Sequence, residues 1–513
     1  MADESILEII AQGAWNGGTP VDNANYENKG MFFKGGVPVT SQTIEERIGV
    51  RTRICAPRDE RIGVIAFRDL LATCGIDPRR IRVIIAASNV GEDKYDPGPF
   101  SRFSYDLVQA QCPQALVFDL YAGCPGFNVA VETLFMLSTS GVLGPGDLSI
   151  IVGAENIHRA QAFKSLDTSS LIFGDDALAT ALATGHLAGV SKSGSLIAET
   201  RIDAEENFTL SIANGLADWA RGERLDGIIV DNQLGKVQHR IPAIAARIQH
   251  AMIERLFPEE TAAGLFQNFR AALDFYDTRK MGFAFDVMSL DRNPAIVKRI
   301  AGAYTASGKY RRVASVFLAP GQPALLALHE GPEGGTPEIP RKGIIDSHTR
   351  THGCFAGFIE LKEENGEPFG EIDGKGVFLH ATRGARHHLS GFLDRHQLTM
   401  QDIDLLIEHQ ANFAMIPMTL ERLMDNGGDR RDIKQAVMDY LANRMITNIH
   451  RRGNCSVVSM QRLPYDLQRG ALEEDVVQGY PVNKNLEKLK SSKIILSDSV
   501  GAGMSRSSFL QRL

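Results

Sequence analysis

Short, continuous apolar runs recur along this 513-residue chain and restrict its fold more than any other feature. Ile81–Ser88 (IRVIIAAS), Ala115–Leu120 (ALVFDL) and Leu148–Gly153 (LSIIVG) come first. Asp226–Val230 (DGIIV), Val313–Leu318 (VASVFL), Ile403–Ile407 (IDLLI) and Lys493–Leu496 (KIIL) follow. Each is strand-sized and lacks the alternation of a half-exposed strand, so each reads as a strand covered on both faces. Helix-length stretches with apolar residues three and four apart lie between them, as in Phe127–Ser138. The alternation predicts an α/β chain with buried, largely parallel strands.

At roughly 100–200 residues per domain, a chain of this length predicts two to four domains or pseudo-domains. Between residues 205 and 340 the charges are denser and the periodicity weaker, and Gly331–Pro340 (GPEGGTPEIP) reads as a loop. Gly174–Gly185 (GDDALATALATG) is echoed by Gly321–Gly331 (GQPALLALHEG), either a partial duplication or two similar strands after a turn. A net charge of −7 argues against a nucleic-acid surface or an anionic membrane as main partner, while leaving room for a local basic mouth. The six cysteines show no metal-ligand spacing, so reduced thiols in a cytoplasmic setting are expected. Met1–Ser5 is acidic and does not look like a signal peptide, and no apolar run approaches the roughly 20 residues that span a bilayer.

Three segments carry chemistry. In Ala115–Gly126 (ALVFDLYAGCPG) a strand runs through a small-residue turn into Cys124-Pro125-Gly126 and a helix. Proline is favoured just inside a helix start, which puts Cys124 where the helix dipole and free N–H groups favour a thiolate. The bland reading is a buried structural cysteine; the strand–turn–helix setting favours a nucleophile. Leu405–Asn412 (LLIEHQAN) places His409 at a strand C-terminal end, where open α/β folds put ligands. Alone, it would pass for a structural histidine. In Arg452–Ser456 (RGNCS), Asn454 precedes another helix and alone would be a cap.

Together and in this order, the three segments resemble the β-ketoacyl-acyl-carrier-protein synthase III family of the thiolase superfamily. YAGCPGF matches its nucleophile segment, His409–Asn412 its HQAN, and Gly453–Ser456 its GN(T/C)S. Ile172–Ala177 (IFGDDA), Arg47–Arg53 (RIGVRTR) and Lys493–Leu513 also resemble family segments. The likeness covers residues 5–200 and 342–513. It implies a five-layer αβαβα fold of two similar halves, 1–204 and 342–513, normally a homodimer. Residues 205–341 would be an insertion serving as lid, dimer extension or partner-docking segment, with a position over the mouth of the acyl site expected.

The resemblance also implies roles. Cys124 would take an acyl group from an acyl-CoA or acyl-carrier-protein thioester. His409 and Asn454 would hold the carbonyl of a malonyl or β-ketoacyl thioester and stabilise the enolate left when a malonyl carboxylate departs as CO2. The N–H groups of Cys124 and Ala502 would form an oxyanion hole, and Arg47, Phe173, Gly501 and Gly503 would line the substrate. No cofactor and no metal are implied. The tryptophan that often stacks on CoA in this family aligns with Thr43, which shifts weight towards carrier-protein delivery. Acyl transfer to a small-molecule oxygen or nitrogen, or cyclising condensation of two β-ketoacyl units, uses the same acyl-cysteine. A non-catalytic partner subunit is the remaining reading, and such subunits usually lose the nucleophile. Cys124→Ala is expected to abolish covalent acylation in intact-mass spectrometry, whereas Cys112→Ala and Cys455→Ala remain acylated; an acyl group on any other cysteine contradicts the assignment.

Overall fold

The structure, a computed structural model, describes residues 5–90, 112–164, 167–185, 194–203, 207–220, 224–234, 243–278, 282–289, 292–332, 339–365, 367–425 and 427–513. The expected loop at Gly331–Pro340 lies partly outside them. The apolar runs form strands. β1 (Leu7–Ala14), β2 (Ile81–Ala87), β3 (Leu116–Tyr121), β4 (Leu148–Glu155) and β5 (Asp176–Thr184) come from the N-terminal part. β6 (Ser195–Ile202), β7 (Gly227–Asn232), β8 (Phe283–Ser289), β9 (Arg312–Leu318) and β10 (Ala324–Glu330) come from the middle. All ten join one sheet in the order β1-β5-β4-β2-β3-β8-β7-β9-β10-β6. A second sheet has the order β11-β14-β13-β12, from β11 (Gly343–Thr351), β12 (Leu405–Glu408), β13 (Ile494–Gly501) and β14 (Ser505–Arg512).

Read from its two edges, the large sheet repeats itself. β1-β5-β4-β2-β3 and β6-β10-β9-β7-β8 are the same arrangement, strand for strand. The second sheet follows the same rule. Its first strand is outermost, its last strand comes next, and the place of a third strand is held by a bridge from Leu406 to Met445. Each unit's first strand has a register irregularity at one position: between Ile9 and Ala11, between Leu196 and Ala198, and between Ile344 and Asp346. Bulges of this kind are positioned features rather than accidents. The two echoing segments of the sequence end in β5 and β10, the fifth strands of the first two units.

Helices cover the sheets in layers. α1 (Ile62–Cys74) and α3 (Phe208–Ala220) pack on the outer face of the large sheet, within two separate apolar clusters. α4 (Ala243–Leu256) and α5 (Phe269–Thr278) lie between β7 and β8 in the chain. α7 (Gly374–Asp394) covers the outer face of the small sheet through Leu389, Phe392 and Leu393. Between the sheets lie α2 (Gly126–Thr139), α6 (Ala295–Ala306) and α8 (Ser459–Arg469), in one core cluster with residues of all three units. The result is the αβαβα layering that the resemblance implies. Every residue of α2 is buried, because sheets press on it from both sides. Most of its polar groups are paired: Asn128 donates to the Ser507 carbonyl at 2.8 Å and Glu132 accepts from Tyr310 and Thr349, while Asn128 Oδ1 has no partner among the described residues. No helix among the described residues is long and apolar enough to cross a membrane.

A cavity in this middle layer has no solvent side into which to relax. Leu134→Ala should therefore cost about 2–5 kcal/mol, read as a lowered urea midpoint at unchanged slope. A loss below about 1 kcal/mol would contradict a close-packed central layer.

Candidate active site

β3 ends at Tyr121, and Gly123 turns the chain in the left-handed region at φ 70°. The Gly126 N–H donates to the Gly123 carbonyl at 2.9 Å, and the Val129 N–H to that of Pro125, also at 2.9 Å. Cys124 thus stands at the threshold of α2, as its motif predicts. From the C-terminal unit, the end of β13 presses on it. A Cβ added to Gly501 would lie 2.5 Å from the Cys124 nitrogen and 2.9 Å from its Cβ. One added to Gly123 would lie 2.5 Å from the Ala502 nitrogen. Only backbone fits here, and this brings the Ala502 and Cys124 amides into one place. Gly503 then takes φ 72°.

His409 directly follows β12, and its N–H donates to the Asp498 carbonyl of β13 at 2.9 Å. The residue is 4% exposed, and neither ring nitrogen has a hydrogen-bond partner among the described residues. Burial pushes its pKa down to about 3, so it is neutral at physiological pH. Asn454 is clamped by its backbone: its N–H donates to the Ile172 carbonyl at 2.8 Å, and its carbonyl accepts from Gly174 at 3.1 Å. The approach demands glycine at 174, where a Cβ would lie 2.2 Å from the Arg452 carbonyl oxygen. Asn454 Oδ1 accepts from the Ser456 N–H at 2.7 Å, which turns the amide hydrogens of its side chain outward as donors.

Three residues that the sequence reading gave no role join this group. Ser456, in the left-handed region at φ 47°, directs its Oγ to Cys124 Sγ at 3.5 Å. Asn89 Nδ2 donates to Ser456 Oγ at 2.8 Å and to Glu155 Oε1 at 2.7 Å. Glu155 is fully buried, also accepts from the Val90 N–H at 3.2 Å, and is pushed up to about 7 by burial. Asn89 and Glu155 stand at or just past the C-terminal ends of β2 and β4. That position was a usable signal, since open α/β sheets gather ligand groups there.

Phe173 pairs with Asn454 through an isolated bridge and stacks on Phe163, with centroids 4.9 Å apart. Both line a cavity of about 700 Å³ together with Tyr26, Lys29, Lys164 and Phe369. Arg47 is not brought to Cys124. It is exposed on the helix Ser41–Ile48, with its guanidinium 5.1 Å from the Phe33 ring centroid. Thr43 is used in the capping box of that helix. Cys55, His158 and Asp175 form the one grouping of metal-type donors found among the described residues. There Asp175 already accepts from the N–H groups of Ala56, His158 and Arg159, which is a loop-bracing role.

No family model matches the chain. The β-ketoacyl-[acyl-carrier-protein] synthase III of Novosphingobium aromaticivorans is 27% identical over 172 residues, which are 33% of this chain and 50% of that one. The protein of the same name from Agrobacterium fabrum is 28% identical over 191 residues, 36% of this chain and 55% of that one. The chain is a relative of these synthase III proteins, and it spans about half the length of the curated relatives it matches. The crystal structure of 3-oxoacyl-[acyl-carrier-protein] synthase III from Aquifex aeolicus matches 99% of this chain and 100% of its own. The TM-score is 0.53 at 15% identity, which fixes the fold as thiolase-like.

The sulfur's electrostatics differ from the expectation that the helix start lowers its pKa. Burial dominates and pushes the thiol up to about 12, against a smaller lowering by Ser456. Below that value the thiolate fraction grows about tenfold per pH unit. Iodoacetamide labelling of Cys124, followed by peptide mass spectrometry, should therefore accelerate steadily from pH 7 to 10; a plateau below pH 8 would contradict a protonated resting thiol.

Proposed function

We propose that the chain is a decarboxylating, carbon–carbon bond-forming acyltransferase. Cys124 takes an acyl group from a thioester and condenses it with a malonyl thioester, in fatty-acid-derived or polyketide synthesis. The observation that carries this reading is the backbone contact of Gly501-Ala502 with Gly123-Cys124, which brings the Cys124 and Ala502 amides together. Preset amides at a forming oxyanion stabilise it without reorganising.

In the first half-reaction Cys124 Sγ attacks the thioester carbonyl. Its oxygen becomes negative beside the N–H groups of Cys124 and Ala502, and the donor leaves as a thiol carrying the displaced proton. In the second, the incoming thioester carbonyl accepts from His409 and the Asn454 amide. Its carboxylate departs as CO2, and the electron pair left behind forms an enolate. The enolate carbon attacks the acyl carbon, and Cys124 leaves as a thiolate and is reprotonated. Because burial keeps His409 neutral, it can donate one proton in a hydrogen bond without carrying a charge that would have to be desolvated. The cavity beside Phe173 suits the carrier arm, since Lys29 offers positive charge to an anionic thioester carrier, while Lys164 is paired with Glu364 at 2.7 Å.

His409→Ala and Asn454→Ala should still self-acylate at Cys124, while release of labelled CO2 from a malonyl thioester falls about 10²–10³-fold for each. Folded variants that lose self-acylation equally would contradict this division of roles.

A further inference from the structure

We infer that residues 195–330 are a catalytically blank copy of the N-terminal unit acting as a built-in partner subunit, so that one chain supplies what two copies would otherwise provide around a single acyl site. The strand order and the shared bulge already make the two units topological copies. The strand registers fix which residues correspond. Ile85 faces Phe118 across β2 and β3, and Ile229 faces Phe285 across β7 and β8. Phe118-Asp119-Leu120-Tyr121 therefore corresponds to Phe285-Asp286-Val287-Met288. Likewise Thr180 faces Ile151, while Ala327 faces Ser315, which aligns Ala177-Leu178 with Ala324-Leu325.

The contact between the copies is reciprocal. β3 and β8 are antiparallel, with Leu120 opposite Val287, Tyr121 opposite Asp286 and Asp119 opposite Met288. Under the correspondence above, the central pair is a residue meeting its own equivalent. The flanking pairs interchange: the first unit's fourth residue meets the other's second, and the reverse. That is the signature of a two-fold interface between identical subunits. Here it lies inside one chain. The helices after these strands, α2 and α6, pack together beside it, with Thr133 Oγ1 and Tyr304 Oη 3.2 Å apart.

The copy is blank where the first unit carries chemistry. Cys124-Pro125 before α2 corresponds to Asn293-Pro294 before α6. Asn293 is exposed, and its Oδ1 accepts from the Ala295 N–H at 2.9 Å, a local turn contact at the start of α6. What the copy contributes is support. α4 packs on the turn Ala502–Met504, and Leu273 of α5 joins Met504 and Phe355 in one apolar cluster. Tyr276 Oη accepts from the Cys354 N–H at 3.0 Å, and Gln249 Oε1 from the Gly353 N–H at 3.0 Å. The middle unit thus braces, in cis, the turn whose Ala502 touches Gly123. With β8 on β3, that edge is closed to a second chain.

The pairing is tested without reference to activity by Leu120→Cys with Val287→Cys, oxidised and analysed by non-reducing electrophoresis and peptide mass spectrometry. The expected result is a disulfide-linked peptide pair within a species of the 56.1-kDa chain mass. Leu120→Cys alone linking two chains, a double variant linking only between chains, or a folded double variant that does not oxidise would each overturn the inference. The single-site part rests on the proposed acyl chemistry and is read separately. Exhaustive acylation should add one acyl group per chain, and none in Cys124→Ala. A second acyl group on residues 195–330 would overturn the blank assignment. An intrachain disulfide with no acyl uptake would instead sink the proposed chemistry and leave the built-in partner standing.

Discussion

Between Cys124 and the turn Gly501–Gly503 there is room for backbone and nothing else, and much of the molecule is arranged to keep it so. The N-terminal unit brings Gly123 and Cys124 to the end of a buried strand; the C-terminal unit brings Gly501 to the end of another. Each glycine's missing Cβ is space that the other unit's backbone fills. Two sheets can hold such a contact only if the layer between them does not yield. That layer contains α2, buried along its whole length and tied to the second sheet by Asn128. Close packing makes the contact a fixed distance rather than an average one.

The same burial sets the charge state of the groups around the sulfur. Low-dielectric surroundings disfavour charged forms, so the Cys124 thiol rises, His409 falls and Glu155 rises. At rest Cys124 and His409 are therefore uncharged, and Glu155 is poised to titrate near pH 7. The charges that matter in the proposed reaction, an oxyanion and an enolate, arise only when substrate is present, beside donors already in position. The Glu155–Asn89–Ser456 chain holds Ser456 against the sulfur and, through the Ser456 N–H, holds the Asn454 amide. One loop thereby orients both a donor and the nucleophile's neighbour.

The extra length of the chain is spent on sheet rather than on surface. Five strands of the middle unit continue the first sheet past β3, so an edge that would be open to other strands is paired. The helices between β7 and β8 then reach the turn at Met504. Length added as a copy of an existing unit brings its own strand order and its own way of meeting its twin.

Much of this was legible in the residues. Continuous apolar runs located seven of the strands, most to within two residues, because a strand covered on both faces has no polar side to alternate with; Lys493–Leu496 stops five residues short of Gly501, and the buried β8 was not read. The order of Cys124, His409 and Asn454 pointed to the layered fold and supplied the proposed catalytic group, since each lies where a strand or turn meets a helix. The echo between Gly174–Gly185 and Gly321–Gly331 was the visible trace of the repeat. The direction of the Arg47 side chain was not legible, because a family segment fixes a position in the chain and not where a side chain points. Nor were Asn89, Glu155 and the reversed shift of the Cys124 thiol, which depend on what distant segments bring to a strand end. The pairing of β3 with β8 was decided by tertiary structure alone: hydrophobic pattern says that a strand is buried, while its neighbour in the sheet is chosen by packing between residues more than a hundred positions apart.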